Sequence, residues 1–144
     1  MSTTDTDAAV GGQQQLMVKT GTFIAGGTND INLDLGFLPD FFALFNYTKF
    51  ATDGNAHVAF WFSGMTADHA IALLVGVAST SGALYTSGGF TELDTITTAT
   101  TNPVGQTVQK GLLIGSNLKG SDSDVFYFLA IGNCSVQDYG DLVT

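Results

Sequence analysis

Two pairs of carboxylates have the residue type and the spacing that acid–base chemistry could use. Asp122 and Asp124 are separated by one residue, and Asp138 and Asp141 by two. General acid–base catalysis needs one carboxyl group in an apolar setting that moves its proton affinity toward neutral pH. Both pairs instead lie in stretches that contain Gly and Ser, where Asp commonly accepts hydrogen bonds from turn backbone. The pattern favours solvated turns and predicts no catalytic carboxylate.

Two acidic turns offer the oxygen ligands that calcium prefers. They are Asp122-Ser123-Asp124 and Asp53-Gly54-Asn55. Neither matches the twelve-residue calcium-loop pattern, so calcium at these turns stays an open alternative. A zinc site is less favoured, because the chain has one Cys and two His in all. We therefore predict no metal ion and no other cofactor.

The two histidines do not belong to a recognisable catalytic motif. His57 begins the apolar run His57–Phe62, and His69 follows Asp68 in a stretch of Ala, Ile and Leu. A structural or surface role fits these settings better than a general base does. The sequence has no G-x-S-x-G nucleophile elbow, P-loop or dinucleotide fingerprint. We predict that the chain is not an enzyme.

Aromatic side chains leave one binding function open. Rings of Tyr and Trp can stack on sugars in a lectin-like site, and they also pack well in cores and subunit contacts. Each candidate lies on or near a predicted strand, which favours packing and leaves glycan binding as an alternative. The candidates are Tyr47, Trp61, Tyr85, Tyr127 and Tyr139.

The charge composition excludes one class of partner and indicates another. Charged residues make up 12% of the 144 residues, about half the usual share, and the net charge is −9. Arg is absent and the four Lys are widely spaced, so the clustered cations that a nucleic-acid backbone requires are missing. A chain with so little charge must cover itself with small polar residues or place apolar surface against partners. We expect no direct nucleic-acid contact and we expect assembly with other protein chains, including copies of itself.

The single cysteine and the apolar runs bear on the compartment. Cys134 cannot form an internal disulfide, which indicates synthesis in a reducing cytoplasm. No signal-peptide pattern is visible at Met1, and no run approaches the ~20 apolar residues of a membrane helix. We expect no membrane partner.

The chain divides into an arm and one β domain. Residues 1–15 are small, polar and acidic without periodicity, which predicts a flexible arm that orders on a neighbour or stays disordered. Residues 16–144 form the predicted domain, in which short runs with period-2 alternation, such as Ile31–Leu35, are separated by Gly-rich turns. This pattern predicts an all-β, single-domain antiparallel β-sandwich or barrel, jelly-roll-like in architecture.

Four segments carry specific structural predictions. Phe41–Phe50 is expected to be a strand that forms a hairpin with His57–Phe62, and Ala67–Ala78 a strand rather than a helix. Short separate strands are expected on both sides of the turn Ser87-Gly88-Gly89. The run Val125–Ile131 is expected to be buried on both faces or to place one face against another subunit.

Two segments together resemble virion structural proteins of tailed bacteriophages. The first runs from Gly21-Thr22-Phe23 through Ile31–Asn46, where a strand leads to Gly36-Phe37-Leu38-Pro39 and then to an aromatic-rich strand that ends in Asn46. The second is Lys110–Asn117 followed by Val125–Gly132, which is similar to the closing hairpin of those proteins. Together they cover a third to a half of the chain.

The resemblance implies a head decoration (cement) protein, or a related tail-fibre module. It implies a homotrimer on the capsid surface of a virion, with the major capsid protein as partner and no catalytic residue. Shaft-like heptads and long repeats are absent, which favours the compact decoration protein. The alternative is a tail-fibre or spike module that binds a host surface glycan. The residues expected to contact the partner are Gln13, Gln14, Gln15, Leu16, Phe37 and Pro39.

Overall fold

A computed structural model describes residues 15–26, 30–52, 56–76, 80–98 and 106–133 of the chain. These residues form eight strands and one short helix. The elements are β1 (Met17–Ile24), β2 (Ile31–Asp34), β3 (Pro39–Asn46), α1 (Tyr47–Thr52), β4 (Ala56–Phe62), β5 (His69–Val75), β6 (Thr80–Thr98), β7 (Gln106–Ile114) and β8 (Val125–Gly132).

All eight strands belong to one antiparallel sheet, with the order β1-β8-β3-β4-β5-β6-β7-β2. The sheet curls strongly, because Phe42 on β3 meets Phe90 on β6 edge to face although two strands separate them, with ring centroids 5.4 Å apart. A curled sheet of this kind is a half-barrel, which confirms the predicted all-β, antiparallel sandwich or barrel class.

The core fills the inner side of the curl. Alternate residues of each strand point inward, as the pleat requires. Burying each large apolar side chain contributes roughly 1.5–3 kcal/mol to folding, and Phe42 stacks on Phe128 at 5.7 Å between centroids. The largest buried apolar side chains are Phe42, Leu44, Trp61, Phe90, Leu112, Ile114, Leu118 and Phe126.

The aromatic segment Phe41–Phe50 is only partly a strand, so the prediction for its second half was wrong. The strand ends at Asn46, and α1 follows at once. Asn46 causes the change, because its Oδ1 accepts a hydrogen bond from the Lys49 N–H at 3.1 Å and so caps the helix. The predicted hairpin is confirmed, since β3 pairs with β4, and His69–Val75 is a strand as expected.

The predicted turn at Ser87-Gly88-Gly89 is instead an irregularity within one strand of 19 residues, β6. The first part of β6 pairs with β5 up to Tyr85, and pairing resumes at Phe90, with a register shift between them. Gly88 has φ +65°, a conformation that side-chain-bearing residues rarely adopt. The part after the shift pairs with β7. The extra residues therefore bend β6, where two separate strands were expected.

The predicted solvated turn around Asp124 was also wrong for that residue. Asp122 is exposed, but Asp124 is buried. Asp124 Oδ2 accepts hydrogen bonds from Asn46 Nδ2 and from the Ser121 N–H, each at 2.9 Å. The carboxylate thus ties the end of β3 to the loop before β8.

Replacing Asp124 by Ala is expected to lower the free energy of unfolding by about 2 kcal/mol, because two donors inside the fold lose their acceptor. Asp124→Asn keeps one oxygen that can accept from both donors, so the loss should be smaller. Urea denaturation of the three proteins measures the difference. Equal stability of the Ala variant and the original chain would contradict a role for this carboxylate in the fold.

Several predictions fall outside the described residues. They concern most of the arm (1–14), the calcium candidate at 53–55, Cys134 and the Asp138/Asp141 pair. Within the described part, the short helix α1 does not have the length and apolarity to span a membrane.

Candidate functional site

The residues considered for chemistry do not come together in the described part of the chain. No group of three or more His, Cys, Asp or Glu side chains within those residues could hold a metal ion. Asp124 is engaged by Asn46 and Ser121, and His69 is half-buried at the start of β5. These side chains therefore do not form a shared site within the described residues.

The five aromatic candidates for sugar stacking have different surroundings. Trp61 is only 1% exposed and Tyr85 packs against the core, so neither presents an open ring. Tyr47 and Tyr127 are 55% and 48% exposed and contact each other edge to face, with centroids 5.4 Å apart. Tyr139 lies outside the described residues. Among the candidates that the structure describes, Tyr47 and Tyr127 are the ones whose rings are open to solvent.

The outer side of the curled sheet is apolar across five neighbouring strands. We call it the outer face and define it by three rows of side chains that the strand register places side by side, from β8 through β3 and β4 toward β5 and β6. Every position in these rows holds an apolar residue or Tyr. The rows are Ile131–Phe41–Phe62, Leu129–Ala43–Phe60–Ile71–Leu84 and Tyr127–Phe45–Val58–Leu73.

Much of the outer face is open to solvent. Five of its side chains are between 37% and 57% exposed: Phe45, Phe62, Ile71, Leu84 and Tyr127. At about 150–250 Å² per large side chain, these five exposed fractions present roughly 450 Å² of mostly apolar surface. That lies within the ~300–600 Å² of the largest apolar patch on a typical monomer, which is often functional, and it is about half of the ~800 Å² that one partner buries in a standard interface.

The rings of the outer face are arranged before any partner binds. Phe41 lies 6.2 Å from Phe60 and 5.1 Å from Phe62 between ring centroids. An antiparallel sheet with one solvated face normally alternates apolar and polar residues along each strand. Here β3, β4 and β8 are apolar on both sides, as a strand between two packed layers would be. Within the described residues, the fold supplies one of those layers, and the outer face is the side that this layer does not cover.

The prediction for Val125–Ile131 allowed for this arrangement. Phe126, Phe128 and Ala130 point into the core, whereas Tyr127 and Leu129 belong to the outer face. The signal was the unbroken apolar run itself, which also marks β3 and β4. The sequence did not show that the three runs would lie next to one another.

The residues predicted to contact a partner are placed differently. Gln15 and Leu16 are exposed next to β1, while Gln13 and Gln14 lie outside the described residues. Phe37 packs against the core and Pro39 is fully buried. Pro39 starts β3, as a residue without an N–H donor can. A buried Pro39 has no side-chain surface to offer, so the outer face replaces the Phe37–Pro39 segment as the candidate contact surface.

Comparisons of the chain with protein-family models, with curated proteins and with solved structures find no match.

Proposed function

We propose that the chain is a non-enzymatic virion structural protein that decorates a capsid and docks on the major capsid protein through its outer face. The observation that carries the proposal is the uncharged, preorganised outer face of β8, β3, β4, β5 and β6. An exposed apolar patch of this extent is often functional. The capsid as the partner rests on the sequence resemblance of Gly36–Asn46 and of Lys110–Gly132 to phage virion proteins. The hairpin expected in the second segment is not formed, because β7 pairs with β6 and β2 whereas β8 pairs with β1 and β3.

The proposed mechanism is mechanical. A copy that spans neighbouring capsid subunits buries apolar area on both, at ~25 cal/mol per Å², and opposes their separation when packaged DNA presses outward. The net charge of −9 suits such a protein, because it favours solubility before docking. No contact with the genome is needed in this mechanism.

The test uses particles that carry the chain and particles from which it has been removed. Heating both should release the genome at a lower temperature from the stripped particles, and adding back the purified chain should restore the original temperature. Localisation of the chain on the capsid surface of intact particles is the direct check. Equal release temperatures, or a location outside the capsid, would overturn the proposal.

The exposed contact of Tyr47 with Tyr127 favours a second candidate, a tail-fibre or spike module that binds a host glycan. Asn, Asp or Thr side chains near such rings can recognise sugar hydroxyls. Binding on a glycan array that disappears in Tyr127→Ala would favour this function. A chain that binds no glycan and docks on capsids would exclude it.

A further inference from the structure

The first strand is an edge of the sheet that lacks the usual protection against pairing. β1 pairs with β8 along all eight residues without a register shift, and in the described part of the chain no strand pairs with its other edge. Proteins commonly protect such edges with short strands, Pro, bulges or charge. The opposite edge of the sheet has two of these features, because β2 has four residues and ends at Asp34. β1 is twice as long and contains no Pro.

The one charged residue of β1 does not guard its edge. Lys19 donates a hydrogen bond from its Nζ to the carbonyl oxygen of Leu35 at 3.1 Å. Leu35 follows β2, so the Lys19 side chain reaches across the inner side of the curl toward the other half of the sheet. The ammonium group is thereby kept away from the free edge.

The hydrogen bonds at both ends of β1 show which backbone groups are free. The Ala25 N–H donates to the carbonyl oxygen of Asp124 at 2.8 Å, and the carbonyl oxygen of Gln15 accepts from Asn133 Nδ2 at 3.0 Å. Odd-numbered residues therefore direct their backbone groups toward β8. In an antiparallel ladder the residues between these direct their backbone N–H and C=O groups to the opposite edge of the strand. In β1 these are Val18, Thr20, Thr22 and Ile24.

We propose that β1 pairs with β1 of a second copy in antiparallel orientation, centred on Gly21, so that the sheet continues across a two-fold axis. Directly opposite residues of an antiparallel pair have their side chains on the same side of the sheet. Residues on the same side are an even number of positions apart, so the two-fold axis must lie between one residue and the same residue of the second copy. Centring on Gly21 places Val18 opposite Ile24 of the second copy, and Thr20 opposite Thr22. All the free backbone groups of β1 are then paired within the strand, whereas centring on Thr20 would place Ile24 opposite Leu16, which precedes β1.

The second copy is the occupant because β1 is complementary to itself in this register. Val18 and Ile24 are 56% and 69% exposed, and the pairing brings these two apolar side chains together. Thr–Thr pairs across strands are favourable. Lys19 lies opposite Phe23 of the second copy, so the Lys19 ammonium groups of the two copies are not directly opposite each other. The two outer faces are joined into one surface.

This inference does not depend on what the outer face binds. A contact that is identical from both sides closes as a dimer. It therefore replaces the homotrimer implied by the resemblance with a two-fold assembly. The proposal for the capsid can fail while the pairing holds, and the pairing can fail while docking on the capsid holds.

Disulfide trapping tests the register. In a chain with Cys134→Ser, the double variant Thr20→Cys with Thr22→Cys should form a covalent dimer on mild oxidation. The directly opposite pairs have Cα atoms about 5.5 Å apart, within reach of a disulfide. Each single variant should stay uncrosslinked. A covalent dimer of Thr20→Cys alone would overturn the register centred on Gly21, and absence of a crosslink in the double variant would overturn the pairing.

Sedimentation of the unmodified chain supplies the second readout. We expect a dimer at tens of micromolar, and a monomer after Thr22→Pro, because Pro removes an N–H that faces away from β8 and edge strands tolerate this change. Circular dichroism should show that the Pro variant keeps its strands. A monomeric or trimeric original chain would contradict the proposal, as would a folded Thr22→Pro variant that remains a dimer.

Discussion

Replacing Ile71 by Glu is expected to weaken the proposed docking on a capsid by at least about 30-fold while the chain stays folded. Ile71 lies in the middle row of the outer face, paired with Phe60 on one side and Leu84 on the other. It is 40% exposed, so the carboxylate can reach water in the free chain. In the docked state that carboxylate would be covered by an apolar partner surface without a compensating charge, which is strongly unfavourable.

The matched control is Leu74→Glu. Leu74 belongs to the same strand and is 41% exposed, but it lies on the other side of β5 from Ile71. Rebinding of the labelled variants to stripped particles measures the effect. The Leu74 variant should bind as the original chain does, and both variants should keep the same circular dichroism. Equal binding by the Ile71 variant would remove the outer face from the proposed function.

Local periodicity was enough to predict most of the strands. Ile31 and Leu33 alternate with Asn32, and this pattern predicted both the position of β2 in the sequence and the side chains that it directs toward the core. Pro39 lacks an N–H donor, which restricts it to a turn or a strand start, and it begins β3. These features depend on residues within a few positions of one another, so one sequence suffices to see them.

Features that depend on distant residues could not be predicted. Asp124 was expected in a solvated turn because its neighbours are polar, yet its partner Asn46 is 78 positions away. The Gly-rich segment after Tyr85 was expected to be a turn. It is a bend within β6, because β5 pairs with one part of that strand and β7 with the other. Turn chemistry alone does not distinguish these two outcomes.

The sequence predicted an apolar contact surface but not where on the fold it would lie. The low charge indicated assembly, and the run Val125–Ile131 indicated a second buried side. Phe37 and Pro39 were chosen from the resemblance, and the fold uses both internally. Which apolar runs share a surface is set by the strand order, in which β8 lies between β1 and β3. That order joins strands from the two ends of the chain.

Replacing Gly111 by Ala is expected to lower the free energy of unfolding by more than about 3 kcal/mol, and the melting temperature by about 10 °C. A Cβ at Gly111 would collide with the carbonyl oxygen of Leu33 and lie 2.9 Å from the backbone nitrogen of Leu35. Both neighbours are backbone atoms, so no side-chain rotation can relieve the contact. The segment Leu33–Leu35 cannot move away from Gly111 without losing a hydrogen bond, because the Leu35 N–H donates to the carbonyl oxygen of Lys110 at 2.8 Å.

The control for Gly111→Ala is Gly26→Ala. A Cβ at Gly26 would meet nothing within 4 Å, and its φ lies outside the positive range that favours glycine. The Gly26 variant should therefore match the original chain within about 0.5 kcal/mol, or gain slightly because its unfolded state is more restricted. Hydrogen exchange locates the damage, since β2 rests on β7 and should lose protection first in the Gly111 variant. Equal melting temperatures for the two variants would mean that β2 does not pass over Gly111 as closely as the structure shows.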